Sequence, residues 1–329
     1  MNPGPLSAHP AQPSATDTLA VVFEAPRVIA LRRLGLSPPG EEDVTVACDW
    51  SGISTGTERL LWSGRMPAFP GLGYPLVPGY ESAGHVIDAG PRSGRRVGEF
   101  VFVPGARCFG DVRGLFGGAA SHLVVPGARA LPVDPTLGEH AVLLALAATA
   151  HHALAAPGAR PPDLVVGHGA LGRLLVRIAA ALGFAPPTVW ERDPDRREDA
   201  EPDCCVIEPE ADARRDYHAI YDVSGDGSLL DGLIARTRPG AEIVLAGFYG
   251  ERLDFAFPPA FQREARLRIA AEWQPADLEA VKALIGSGRL RLGGLITHRR
   301  MAAEAPSAYR TAFADPACLK MILDWRESA

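Results

Sequence analysis

The stretch Val165-Val166-Gly167-His168-Gly169-Ala170-Leu171-Gly172-Arg173-Leu174-Leu175 decides the fold. A short apolar run ends, three glycines follow as G-x-G-x-x-G, and an apolar repeat of helical period begins at once. Each glycine has its own task. Gly167 permits a tight turn, Gly169 lets backbone approach a pyrophosphate, and Gly172 lets helix and strand pack closely. The helix N-terminus then presents N–H groups and a positive dipole end to phosphate oxygens. Leu171, Leu174, Leu175, Ile178 and Leu182 share one helix face, Arg173 and Arg177 are expected on the other, and Gly183 stands at the expected stop.

Around this turn, strands and helices alternate. DLVVG (163–167), TVWE (188–191), AIYDVSG (219–225) and EIVLAGF (242–248) read as strands, and LGRLLVRIAAALG (171–183) and SLLDGLIARTRPG (228–240) as helices. This alternation predicts an α/β unit, a doubly wound parallel sheet with helices on both faces. Glu191 ends the second strand, where an acid accepts hydrogen bonds from the two ribose hydroxyls of NAD and repels the extra phosphate of NADP. Arg192, with Arg196 and Arg197, could instead hold that phosphate; NAD is the expected cofactor. Ser224, Gly225, Gly247 and Phe248 fall at later strand ends, where they would pass the nicotinamide.

The first part of the chain has a different rhythm. TLAVVFEA (18–25), DVTVACDW (43–50), AGHVIDAG (83–90), RRVGEFVFVPG (95–105) and SHLVVPG (121–127) are short β-rich runs punctuated by Gly and Pro, as in a small barrel or sandwich. EHAVLLALAATAHHALAA (139–156) reads as a bridging helix, and PADLEAVKALIGSG (275–288) as a further helix. LITHRR (295–300), SAYRTAF (307–313) and CLKMILDW (318–325) read as a return to the first unit. The expected divisions are a tail over 1–17, a β-rich domain over 18–150, the dinucleotide domain over 151–288 and the return over 289–329.

With 329 residues the chain can bury two cores of ordinary size. A net charge of −6 and 22% charged residues fit a soluble globular protein and argue against nucleic acid as a partner. No run of eighteen apolar residues predicts a transmembrane segment, and the Pro-, Ala- and Ser-rich stretch up to about Asp17 is expected to be a disordered tail, not a secretory signal. The five cysteines contain no C-x-x-C pair, which argues for reduced thiols in the cytoplasm and against a cysteine-rich zinc lobe.

GYESAG (79–84), Thr149 on the bridging helix, the glycine turn, DVSG and LITHRR together resemble the medium-chain dehydrogenase/reductase superfamily from Thr18 onward. That resemblance implies a GroES-like β-rich catalytic domain and a Rossmann domain, with Thr149 bordering the nicotinamide. SGISTGTERLLWSGRMP (51–67), FVPGARCFGDVRGLFGGAASHLVVPGAR (102–129) and the spacing of Glu272-Trp273 to LITHRR are similar to the bacteriochlorophyllide a dehydrogenase family of photosynthetic bacteria. The resemblance implies NAD-dependent oxidation of the 3-(1-hydroxyethyl) group of a tetrapyrrole to a 3-acetyl group, in bacteriochlorophyll biosynthesis. It also implies a cytoplasmic protein that could lie against the photosynthetic membrane, and it is compatible with a homodimer.

Zinc-dependent members of the superfamily take ligands from a G-x-C motif, from the His of GHE and from a Cys, Asp or Glu on the bridging helix. The matching positions here are about Ser54, Tyr80 and about Ala145, and none is a good zinc ligand. No metal is therefore expected. Alcohol oxidation still needs a proton acceptor and a group to hold the developing alkoxide. Tyr80, His151, His152, Ser54 and Glu81 are the candidates. Tyr80 could bond the substrate oxygen or only fill space. One of the adjacent histidines could face the site, and Glu81 could equally hold a turn or a cation. Ser54, Thr55 and Thr57 could simply order their own turn. The glycine-rich segment 105–118, with Phe109, could line a broad apolar pocket, and Arg107, Arg113 and His122 could meet a propionate carboxylate. Two other readings stay open: a zinc-free NADPH-dependent quinone or enoyl reductase, and a nucleotide-binding sensor without chemistry.

Overall fold

The computed structural model describes residues 16–68, 70–198, 204–250 and 252–327. The expected disordered tail lies outside them except at its end, where Asp17 already pairs with Gly35 in strand Asp17–Ala25. Among the described residues no helix is long and apolar enough to cross a membrane.

Six parallel strands form one sheet, in the order Cys205–Ile207, Thr188–Trp190, Leu164–Val166, Tyr217–Asp222, Thr237–Leu245, Arg266–Ile269. In sequence rank this is 3-2-1-4-5-6, with the order reversing beside Leu164–Val166. At that reversal the crossovers leave to opposite sides and open a crevice, and the glycine turn sits in it. Helix Ala170–Ala181 packs there because Leu174, Leu175 and Ile178 are fully buried, each stabilising the fold by about 1.5–3 kcal/mol. Gly183, at φ 84°, allows the turn that stops it. Arg173 is not on a solvated face as expected. It is 3% exposed, and its guanidinium reaches the carbonyls of His168 and Arg196 at 3.3 Å, so its stem fills space while its head satisfies the turn.

The rest of the chain forms a seven-stranded sheet and a four-stranded sheet. Strand Asp43–Ile53 is central to the first, pairing with Ser82–Ala89, His122–Pro126 and Met321–Asp324. The C-terminal strands His298–Met301 and Met321–Asp324 thus complete a sheet begun by the N-terminal part. Several elements escaped the periodicity. Strand Val28–Gly35 has exposed Arg32 and Arg33, and helix Thr57–Ser63 is short. The expected helix over 228–240 ends at Ala235, because Pro239 and positive-φ Gly240 cannot continue it and Thr237–Leu245 is a strand. The bridging helix begins at Leu144, after a 3₁₀ stretch from Pro135 that contains Gly138 at φ 49°.

A buried polar frame ties the C-terminal return to the first sheet. Lys320 donates to both oxygens of Glu81, at 2.9 and 2.7 Å, and to the Ile53 carbonyl at 3.2 Å, and both side chains are sealed from solvent. Glu81, a candidate for catalysis, is therefore a structural counter-ion. Beside it Glu58 accepts from the Ser54 amide at 2.9 Å and the Tyr309 hydroxyl at 2.8 Å. Burial, aided by the Glu81 charge and opposed by those bonds, pushes the Glu58 carboxyl up to about 8.

Two outcomes follow from this packing. A Cβ on Gly172 would lie 2.0 Å from the Gly167 carbonyl oxygen, so Gly172→Ala should cost roughly 1–3 kcal/mol, read as a lower urea midpoint. An unchanged midpoint would mean that the turn gives way freely. Unfolded, the Glu58 carboxyl ionises near 4.5; folded, it does so near about 8. Between these values the folded state holds the extra proton, so stability falls as pH rises and levels off above the window. Glu58→Gln should flatten that fall between about pH 5 and 8 in unfolding midpoints measured across pH. A variant that kept the wild-type slope would assign the loss to other groups.

Candidate active site

A single cavity of about 2100 Å³ runs from the glycine turn to Tyr80. This is about twice the upper range of ordinary ligand sites, room enough for a cofactor and a large substrate side by side. Its dinucleotide end is lined by Gly167, Gly169, Leu171 and Gly172, then by Glu191, Ser224, Gly225, Gly247 and Phe248, with Thr149 and Leu146 from the bridging helix. Gly167 adopts φ 102°, a conformation that favours glycine. A Cβ on Gly169 would meet nothing within 4 Å, so its backbone is open to the cavity directly at the start of helix Ala170–Ala181. An open backbone at a helix N-terminus, in the crevice of a doubly wound sheet, fits a pyrophosphate.

Glu191 lines the cavity and its carboxylate is already oriented, accepting from the His168 amide at 3.1 Å and the Asp193 amide at 3.0 Å. Ser224 gives both its hydroxyl, at 2.6 Å, and its amide, at 2.9 Å, to Asp222, so it lines the cavity with its polar hydrogens already committed. Arg192 does not lie in the cavity: it is well exposed and faces Asp226 at 3.9 Å. The nearby arginine that does line the wall is Arg196, held by its Nε on the Pro316 carbonyl at 2.6 Å. Residues from 312 to 320 reach this wall through the C-terminal return, a long-range contact that local sequence could not show.

At the other end, Tyr80 donates its hydroxyl to Ser54 Oγ at 2.6 Å, and Thr57 lines the same part of the cavity. All three line the cavity. Phe116 meets the Tyr80 ring edge to face at 5.5 Å and fixes its plane. Burial, with the Glu81 charge next in line, holds the phenol far above its ordinary range, and the bond to Ser54 offsets this only in part. The result is a protonated hydroxyl cluster. The other former ligand position, Ala145, is buried and offers only its carbonyl, which accepts from Thr149 Oγ1 at 2.9 Å. Among the described residues no three His, Cys, Asp or Glu side chains gather closely enough to hold a metal.

His151 and His152 are not brought to this cluster. Both lie outside the cavity lining, and each places Nδ1 at 2.8 Å from a different oxygen of Asp277. Asp277 also accepts from the Gln274 amide at the start of helix Pro275–Gly286, and burial of the carboxyl is outweighed by these bonds, which hold it below the usual range. The two histidines straddle one carboxylate because adjacent helix positions diverge by about 100°, enough to embrace a single partner across the helix interface.

Of the expected substrate residues only Arg107 lines the cavity. Phe109 is 3% exposed within the core of the β-rich sheets. Arg113 lies over Gly73, where a Cβ would come within 3.1 Å of its guanidinium. His122 shares a hydrogen bond with Ser121 Oγ at 3.1 Å and is not among the cavity's lining residues. The glycine-rich segment doubles back, so Gly105–Arg107 and Gly114–Phe116 face the cavity while its middle turns away. Arg59 and Arg129, which also line it, were missed because nothing in their local sequence marks them.

Residues 40–135 match the family described as the alcohol dehydrogenase GroES-like domain. The chain is 58% identical over 313 residues to the 2-desacetyl-2-hydroxyethyl bacteriochlorophyllide A dehydrogenase of Rhodobacter capsulatus, covering 95% of this chain and 99% of that one. It is 56% identical over 317 residues to the protein of the same name from Cereibacter sphaeroides, with the same coverage. A solved alcohol dehydrogenase from Escherichia coli CFT073, complexed with NADH, has the same fold at a TM-score of 0.80 and 21% identity, over 94% of this chain and all of that one. At that identity the likeness speaks for the architecture alone. With both curated relatives matched at more than half identity over nearly their whole length, the chain belongs to the bacteriochlorophyllide A dehydrogenase family, within the medium-chain dehydrogenase/reductase superfamily.

Proposed function

We propose that this protein oxidises the 3-(1-hydroxyethyl) group of a bacteriochlorophyllide to a 3-acetyl group, using NAD and no metal. The observation that carries the reading is the continuous cavity, with a dinucleotide turn at one end and the Tyr80–Ser54–Thr57 cluster at the other. The relatives' names supply the substrate class.

In this reading Gly167, Gly169, Gly172 and the helix N-terminus hold the pyrophosphate, and Glu191 holds the adenosine ribose. The backbone of Ser224, Gly225, Gly247 and Phe248 borders the nicotinamide. When bound, NAD supplies the hydride acceptor. The chain must then hold the substrate oxygen and lead its proton away. Tyr80 remains protonated, so it acts as a hydrogen-bond partner and not as a base. Ser54 accepts that hydrogen bond, and Ser54 and Thr57 both line the cavity, which gives the hydroxyl proton a route to solvent through rotating O–H groups. The positions that would bind zinc are a hydroxyl, a phenol and an alanine, and the first two bond one another.

Incubating EDTA-treated protein with 3-(1-hydroxyethyl)bacteriochlorophyllide a and NAD should give the absorption change of acetyl formation. Product that appears only after zinc is restored would end the metal-free reading, and a strong preference for NADP would end the role given to Glu191. Tyr80→Phe should lower kcat by roughly 10²-fold with a smaller change in KM, because the lost hydrogen bond is strongest at the developing alkoxide. Full activity in that variant would remove Tyr80 from the chemistry.

A further inference from the structure

Beyond Tyr80 the cavity wall changes character. The stretches that line it there contribute Arg59 from helix Thr57–Ser63, Arg107 from the turn after strand Phe100–Val103, and Arg129 from the turn after strand His122–Pro126. The same stretches contribute no carboxylate. The acids of the cavity, Glu191, Glu272 and Asp315, come from the parallel sheet and the C-terminal return. Among the described residues neither Arg59 nor Arg107 has an ion-pair or hydrogen-bond partner. Cations lining a cavity without a counter-charge from the same stretches raise its potential and favour an anionic ligand.

The placement is built, not incidental to a loose loop. Arg129 donates one guanidinium nitrogen to the carbonyls of Pro104, at 2.8 Å, and Gly105, at 3.3 Å, which anchors it to the turn that carries Arg107. Gly105 adopts φ 91°, and a Cβ there would lie 2.2 Å from the Phe116 carbonyl oxygen. Gly114 lies so close beneath Ala106 and Arg107 that a Cβ would meet the Ala106 carbonyl at 2.1 Å. The turn bearing Arg107 is thus locked to the segment whose Phe116 ring rests on Tyr80. A planar guanidinium suits a carboxylate through paired N–H bonds, and Val124, Val125 and Pro126 add apolar lining to the same cavity.

We propose that Arg107 and Arg129, with Arg59, form a carboxylate-binding site that selects the free acid of the macrocyclic substrate over its ester. The inference rests on the dehydrogenase reading above and adds to it the residues that read the substrate carboxylate.

The test compares 3-(1-hydroxyethyl)bacteriochlorophyllide a with its propionate methyl ester on wild type, Arg107→Met, Arg129→Met and Arg107→Lys. Wild type should prefer the acid by on the order of tenfold in kcat/KM, the worth of one charge-assisted hydrogen bond. Both Met variants should bring the ratio close to one, and Lys should restore part of it. Titrating the two pigments without NAD, followed by pigment fluorescence, reads the same preference as a ratio of Kd values. Absence of turnover would therefore sink the dehydrogenase reading, while the Kd ratio would still decide the carboxylate site. Equal wild-type affinity for acid and ester overturns the proposal. So does a loss of NADH affinity in the Met variants equal to their loss for pigment, which would place the arginines on dinucleotide phosphates. Arg59→Met, on a separate helix, gives the same comparison should a variant at Arg107 fail to fold.

Discussion

The ion pair of Lys320 with Glu81 is the constraint on which the site depends. Both groups are withdrawn from water, and Gly52 lies so close that a Cβ there would fall 2.1 Å from a Glu81 oxygen. Desolvation makes such a pair a weak source of net stability, but losing one partner leaves a buried charge and costs about 3–5 kcal/mol. What the pair fixes is position. Glu81 adjoins Tyr80, the Ile53 carbonyl that Lys320 also holds adjoins Ser54, and Lys320 comes from the end of the chain. One cation therefore sets the spacing of the two hydroxyls that face the substrate end of the cavity.

That arrangement bears on the choice left by composition between tyrosine and histidine. Imidazole has the better intrinsic acidity for proton transfer, but acidity matters only where the group reaches the cavity. His151 and His152 are committed to Asp277 and help to seat helix Pro275–Gly286 against the bridging helix. The hydroxyl cluster lines the cavity, and in the proposed reading it acts through hydrogen-bond donors and not through a base.

Legibility followed the range of the interactions. The glycine turn, the alternation around it and the strand-end residues Ser224, Gly225, Gly247 and Phe248 depend on contacts within a few tens of residues, and the sequence exposed them. Helix Thr57–Ser63 was hidden because seven residues carry too little periodicity. Arg173 was misplaced because an amphipathic pattern assigns charge to solvent, whereas a carbonyl-lined turn can bury a guanidinium. Phe109, Arg113 and His122 were grouped with Arg107 because they are near in sequence, and the chain reverses between them.

By itself the sequence determined the architecture and the family, since these rest on residue types at fixed spacings. Tertiary structure decided which polar groups meet. Tyr80 and Ser54 lie 26 residues apart, and Lys320 lies 239 residues from Glu81. Their partnership follows from strands Asp43–Ile53, Ser82–Ala89 and Met321–Asp324 pairing side by side, an outcome of burial across the whole sheet that no local pattern encodes.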